Sequence, residues 1–307
     1  MIDHAHCFAS AVVYIRNSAE TAAEFIVTLD QYLDEMFTAH EIICVNDNST
    51  DESARVIRDA SQQIKNNSLT TIHFGHFHGL EVAMQAGVEL SIGDFVFEFD
   101  EAILNFDKAA LAKAYEKAIG GYDIVGVSPH GKRKLASRLF YRAMGSARDL
   151  EAPMDTETFR LLSRRAINRI KDICQVVPYR KAIYSSCGLP STNLTHETLT
   201  VSRSSQDRAY RIETAIDALL LFTQIGYRIA LGLTFVMMAA ALFMIVYSFA
   251  SYFAGITIAG WMTTILFLSF AFLGLFGILA IVIKYLQLIV NLTFRKKSFV
   301  YESVERY

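Results

Sequence analysis

From Ile229 to Ile283 the chain runs 55 positions without an Asp, Glu, Lys or Arg, and no other feature limits its fold so severely. The hydrocarbon core of a bilayer, roughly 30 Å thick, is crossed by about 20 apolar residues rising 1.5 Å each. The run is too long for one such helix and suits two joined by a short turn. That turn is expected in Ser251-Tyr-Phe-Ala-Gly-Ile-Thr-Ile-Ala-Gly260, where glycines interrupt the run and aromatics suit a water interface. A helix pair in a soluble core has no need to be apolar all round. Arg228 precedes the run, Lys284, Arg295, Lys296 and Lys297 follow it, and the turn carries no charge. Positive residues stay cytoplasmic, so both ends are expected on that face of the cell inner membrane, in a multi-pass arrangement. The N-terminal Met-Ile-Asp-His-Ala-His has no basic stretch followed by an apolar core, so no signal peptide is expected. Four scattered cysteines (Cys7, Cys44, Cys174, Cys187) form no Cys-x-x-Cys pair and fit a reducing compartment. A net charge of −2 argues against a generic nucleic-acid binder.

Ahead of the run, short apolar stretches alternate with helical ones. Strands are expected at 9–15, 41–45, 70–74, 95–99 and 123–127, with helices at 19–36, 51–64, 80–90 and 108–119 between them. That alternation indicates an α/β domain built on a mostly parallel, Rossmann-like sheet. Ligands of such sheets bind beyond the carboxyl ends of the strands. The expected organisation is a domain at 1–205, an amphipathic interfacial helix at 206–226, two transmembrane helices at 227–292 and a cytoplasmic tail at 293–307. In the second span, Gly274 and Gly277 allow close helix packing, within the hairpin or in a homo-oligomer.

The residues just after the strands carry the chemistry. Asn46-Asp-Asn-Ser-Thr-Asp51 closes the second strand, Asn17 follows the first, and Gly79-Leu-Glu-Val-Ala-Met-Gln-Ala-Gly87 precedes Gly93-Asp-Phe-Val-Phe-Glu-Phe-Asp100. In order and spacing this resembles family 2 glycosyltransferases of GT-A fold, from about Ser10 to Arg165. With the apolar hairpin it is similar to the dolichyl- and polyprenyl-phosphate branch of that family. The resemblance implies a nucleotide-sugar donor held by Asn17, Asp47, Asn48, His78, Gly79, Asp100 and Glu101. Asp47 would accept from a base N–H, while Ser49, Thr50 and Asp51 also suit the start of a helix. His73, His76 and His78 are close in sequence, but no fourth ligand for a zinc site is evident.

The family's second Asp after the fourth strand is replaced here, because the string reads Asp100-Glu-Ala-Ile. Asp100 and Glu101 remain as candidate ligands for a weakly held divalent cation, Mg²⁺ or Mn²⁺, helped by phosphate oxygens. Ala102→Asp is then expected to tighten that site. Without a metal, the basic segment Ser128-Pro-His-Gly-Lys-Arg-Lys-Leu-Ala-Ser-Arg138 is the candidate to neutralise a leaving diphosphate. The resemblance implies that Arg133 and Ser137, with Lys132, meet an acceptor phosphate. The alternative for this segment is a basic face on anionic lipid. Asp155-Thr-Glu-Thr-Phe-Arg-Leu-Leu-Ser-Arg-Arg165 is similar to the family's segment ending in the motif Phe-Arg-Leu-x-x-Arg, and the resemblance implies that Asp155 and Arg160 line the cleft as catalytic residues beside Asp100, with Glu157 as runner-up.

The expectation is thus an inverting transferase at the cytoplasmic membrane face, moving a sugar from a nucleotide donor to a polyprenyl phosphate. Two alternatives stay open: extension of a lipid-linked saccharide at a hydroxyl, and a non-catalytic nucleotide-sugar-binding scaffold.

Overall fold

The computed structural model of the chain describes residues 5–64, 68–130, 157–173, 179–197, 261–294 and 301–306, with scattered helical positions between 215 and 243. The chain divides into one unit of residues 1–215 with 295–307, and a second of 216–294.

In the first unit the elements run β1 (Ala5–Ile15), α1 (Ala22–Asp34), β2 (Phe37–Asn46), α2 (Ser53–Ser61), β3 (Ser68–Phe74), α3 (Leu80–Leu90), β4 (Phe95–Phe99), α4 (Lys108–Ile119) and β5 (Ile124–Pro129). Then come β6 (Phe159–Ser163), α5 (Arg164–Ile173), α6 (Arg180–Ser186) and β7 (Ser191–His196). Finally β8 (Tyr301–Arg306) lies beyond the apolar run. They form an eight-stranded sheet in the order β7-β5-β6-β4-β1-β2-β3-β8. The centre, β4-β1-β2-β3, is parallel, as the alternation predicts. β6 and β8 run against their neighbours. The antiparallel β6 is the segment read from the sequence as the Phe-Arg-Leu motif. Placed between β4 and β5, it sets Arg160 directly opposite Glu98 on one side and Gly126 on the other.

Ala9 to Ile15 of β1 are buried throughout, as a central strand covered on both faces requires. Its odd-numbered residues join Phe25, Ile26, Leu29 and Leu33 of α1, Leu111 of α4, and Phe97, Phe99, Phe106 and Phe159 in one aromatic-rich core. The other face is covered by α3, whose residues Leu80–Val88 are all buried. Contact there is close: a Cβ on Gly87 would lie 2.3 Å from Val12 and 2.8 Å from Val45. Glycine at that position lets the helix sit down on β1 and β2.

Residues 301–306, read from the sequence as part of a tail, instead pair with β3 from Thr70 to Phe74 and close that edge of the sheet. The strand that follows the apolar run therefore belongs to the same sheet as those that precede it.

In the second unit, α7 (Trp261–Phe294) is a helix of 34 residues. A Cβ on its Gly274 would lie 2.8 Å from Met237, and one on Gly277 would lie 3.4 Å from Leu233. The step back from Met237 to Leu233 as α7 advances from Gly274 to Gly277 is that of an antiparallel pair. Leu268, Phe272, Leu275, Leu279, Val282, Leu286 and Ile289 form an exposed apolar stripe. Lys284 pairs with Asp217 at 2.9 Å. Many side chains of this unit, including those of the expected turn at 251–260, lie outside the described residues. Among the described residues no helix is long and apolar enough to cross a membrane.

Candidate active site

The loops after β1 and β2 are sewn together by short polar side chains. Asn17 and Asn48 sit at φ 49° and 51°, left-handed conformations that asparagine tolerates better than most residues. The Asn17 N–H donates to Ser49 Oγ at 3.1 Å, and its Oδ1 accepts from the Thr50 N–H at 2.8 Å. The Ala19 N–H and Ser53 N–H donate to opposite oxygens of Asp51, each at 3.0 Å. Burial pushes Asp51 up, but these bonds and the Ser53 hydroxyl outweigh it and hold the carboxyl below its usual range. Arg16 ties the two loops again, its Nη1 donating to the Asp47 carbonyl at 2.6 Å while its guanidinium lies 4.1 Å over the Phe77 ring.

Asp47 is brought to the carboxyl edge as expected, but its carboxylate points inward and is 0% exposed. It accepts from the Tyr14 hydroxyl at 3.0 Å and from the N–H groups of His78 and Gly79, both at 2.8 Å. Gly79, at φ 89°, makes the turn into α3 that aims both N–H groups at one side chain. In this geometry Asp47 fixes the loop that leads into α3. Asn46, one residue earlier, bonds His73 at 3.1 Å. His78 leans on His76 and Phe74, with ring centroids 4.0 and 4.4 Å away. Among the described residues no set of three His, Cys, Asp or Glu side chains is arranged to hold a metal ion.

Beside this lies a lattice of buried charge at the ends of β4 and β6. Glu98, 1% exposed, accepts from Arg160 Nη1 at 2.8 Å and from the Tyr184 hydroxyl at 2.7 Å. Arg160 also bonds Glu157 and lies 4.7 Å over the Tyr184 ring. Gly126 makes room for this: a Cβ there would meet Glu157 Oε1 at 2.6 Å and Asn193 Oδ1 at 2.0 Å. Arg180 reaches Glu81 at 3.0 Å, Glu98 at 3.1 Å and Asp100 Oδ1 at 2.6 Å. Burial alone would raise the Asp100 carboxyl; Arg180, Lys181 and Arg160 outweigh it and hold the group at about 2. Asp100 is therefore ionised throughout the physiological range.

The structure brings Asn17, Asp47, Asn48, His78, Gly79, Asp100, Glu101 and Arg160 to the carboxyl edge of one sheet. Asp155, Lys132, Arg133 and Ser137 lie outside the described residues. Glu81, Glu98, Arg180 and Tyr184 were missed from the sequence. Glu98 did carry a signal, since a carboxylate inside Phe-Val-Phe-Glu-Phe on a buried strand demands a cationic partner. Arg180 follows no motif.

These residues offer a divalent cation only a weak site. One oxygen of Asp100 is engaged by Arg180, and Ala102 is 1% exposed within the aromatic core. A carboxylate placed at 102 would point among phenyl rings, not at a metal, which overturns the expectation that Ala102→Asp tightens metal binding.

The chain has relatives among known proteins. An uncharacterized glycosyltransferase of Synechocystis is 25% identical over 189 residues, covering 60% of this chain and 58% of the relative. One of Bacillus subtilis is 24% identical over 271 residues, covering 85% and 82%. The undecaprenyl-phosphate 4-deoxy-4-formamido-L-arabinose transferase of Aeromonas hydrophila is 27% identical over 143 residues, covering 45% and 43%. The chain thus spans less than two thirds of the first and third of these. Residues 10–171, more than half of the chain and the stretch that holds both the sewn loops and the Glu98–Arg160 pair, match the model of glycosyl transferase family 2, and the chain belongs to that family.

Proposed function

We propose that the protein transfers a sugar, with inversion, from a nucleotide-sugar donor to a polyprenyl-phosphate lipid at the cytoplasmic face of a membrane. The observation that carries the donor half is the carboxyl edge of the sheet, where the loop held by Asp47 stands beside the ionised Asp100 in a family 2 domain. Asn17, Asn48, His78 and Gly79 line the nucleotide side, and Asp100 orients the sugar diphosphate. The acceptor half rests on relatives named for transfer to undecaprenyl phosphate, and on the basic segment at 130–138 that follows β5.

In the reaction an acceptor phosphate oxygen attacks the anomeric carbon while the bond to the donor diphosphate breaks, the electron pair leaving with the nucleoside diphosphate. A phosphate is already an anionic nucleophile and needs no general base. Arg133, Ser137 and Lys132 hold the acceptor phosphate; Arg160 and Asp155 shape the cleft between the two substrates. Lys181 and the basic segment oppose the charge that develops on the leaving group. Any Mg²⁺ or Mn²⁺ would be held weakly, by Asp100 and Glu101 together with phosphate oxygens.

A membrane hairpin is part of this reading. Its support is the run of 55 uncharged positions, the single charge in the 34 residues of α7, and the apolar stripe exposed along that helix. Because β8 joins the same sheet as β1–β7, the chain between them must cross any membrane an even number of times.

One observation favours a saccharide hydroxyl as acceptor. Glu157 stands over Gly126 with its side chain 12% exposed, where a carboxylate could remove a hydroxyl proton. The test is to incubate the full chain, in detergent, with a panel of nucleotide sugars and either a short polyprenyl phosphate or its glycosylated form, and to detect glycolipid by mass. Product from the bare phosphate, retained in Glu157→Gln, is expected. Product only from the glycosylated lipid, lost in Glu157→Gln, would establish the hydroxyl reading, and nucleotide binding without product would establish a scaffold.

A further inference from the structure

We propose that Arg180 is a positioning residue that fixes Asp100 for the donor and supplies, as a resident cation, part of the positive charge that a divalent ion otherwise brings to such a site. The inference rests on the nucleotide-sugar reading given above. Its basis is one guanidinium shared among three acidic side chains from different parts of the fold. The Arg180 backbone N–H and Nε both donate to Glu81 Oε2 of α3, at 2.9 and 3.0 Å. Nη1 lies 3.1 Å from Glu98 Oε2 of β4, and Nη2 donates to Asp100 Oδ1 at 2.6 Å. The Arg180 side chain is 3% exposed while that of Asp100 is 24% exposed. One end of the pair is therefore locked in protein while the other remains open to a ligand.

Two further observations fit a site arranged around protein cations. Lys181, the next residue, places Nζ 3.8 Å from Glu157 Oε2, with its side chain 14% exposed. Ala102, two residues after Asp100, faces the core and offers no second carboxylate. A hard cation needs several oxygens in its shell. Here it would find Asp100 half-committed to Arg180, with Lys181 nearby and Glu101 as the one further carboxylate of the motif. Arginine suits the resident role better than lysine, because its planar fork holds several carboxylates at once and never loses its proton.

The deciding measurement is Mn²⁺ affinity of the full chain in detergent, read by electron paramagnetic resonance with Mn²⁺ alone, alongside KM for donor and acceptor. Wild type is expected to bind Mn²⁺ only in the millimolar range. Arg180→Gln frees an oxygen of Asp100 and removes a charge, so Mn²⁺ should bind about tenfold tighter while the donor KM rises and the acceptor KM holds. Arg180→Lys keeps the charge but reaches fewer carboxylates, so its Mn²⁺ affinity should stay at the wild-type level while the donor KM still rises. Simple destabilisation predicts the reverse for Mn²⁺, since a loosened site loses affinity. Should Arg180→Gln fail to fold, Lys181→Gln at the rim decides, with Mn²⁺ binding about threefold tighter. Micromolar Mn²⁺ binding by wild type, or unchanged affinity in Lys181→Gln and in any folded Arg180→Gln, overturns the proposal. Failure of wild type to bind any of a panel of nucleoside diphosphates would instead refute the donor reading, whatever the Mn²⁺ result.

Discussion

Replacing Asp47 by Asn keeps the shape of the side chain and changes one oxygen to an amide that can only donate. Three donors converge on that carboxylate: the Tyr14 hydroxyl, the His78 N–H and the Gly79 N–H. Whichever way the amide is turned, at least one donor meets another donor. The tyrosine hydroxyl can rotate to accept, so the cheaper orientation sets the amide against Oδ2's partners and strands Gly79. A buried donor left without a partner costs about 1–3 kcal/mol, and the bonds that survive lose the strengthening a charged acceptor gives them. The sum is roughly 2–4 kcal/mol, concentrated at one loop because the group is 0% exposed. At about 1.4 kcal/mol per factor of ten, amide exchange across residues 76–80 should accelerate roughly 30- to 1000-fold. Hydrogen-exchange mass spectrometry of the full chain reads this, with β1 and β4 as internal references, and nucleotide affinity should fall with it. Unchanged protection at His78 and Gly79 would refute the view that Asp47 works by holding this loop.

Ala102→Asp should lower the thermal midpoint with no gain in Mn²⁺ binding, since a carboxyl group buried in the aromatic-rich core sheds its charge and, without a hydrogen-bond partner, still costs on the order of 2–7 kcal/mol; tighter Mn²⁺ binding with intact stability would contradict it. Asp100 is held at about 2, below its ordinary 3.8, so its ionised form stabilises the fold in full above about pH 4 and that contribution drains away as pH falls towards 2. Unfolding midpoints measured from pH 7 to pH 2 in wild type and Asp100→Asn should converge only below pH 4. Cysteine introduced at Thr257 should label only from outside the cell, and at Ser298 only from the cytoplasm; labelling of both from one side would rule out the hairpin.

The strands and helices from 9 to 127 were legible because local periodicity and strand-end turn residues agree there. Lys108–Ile119 and Phe95–Phe99 fall where the sequence puts them. Polarity of pairing was not legible for Phe159–Ser163. Five residues with an apolar-polar pattern carry no mark of direction, and their place between β4 and β5 depends on contacts far along the chain. Asp47 and Asp100 were found through their positions at strand ends. Their partners were not, because the Gly79 N–H has no side-chain signature and Arg180 lies 80 residues from the Asp100 it holds. Ala102 shows the same limit from the other side. Its place in a motif suggested an open ligand position, whereas the turn after β4 points it into the core.

The backbone ladder between β3 and β8 has a consequence for the order of synthesis. Thr70 to Phe74 leave the ribosome more than two hundred residues before Tyr301 to Arg306 can pair with them. Until then β3 is an open edge of the kind that recruits stray strands from other chains. The domain therefore cannot complete its sheet before the apolar run has been made and delivered. A break anywhere within 198–300 would leave two fragments still joined by main-chain hydrogen bonds, so protease nicking there should sever the chain without releasing its end.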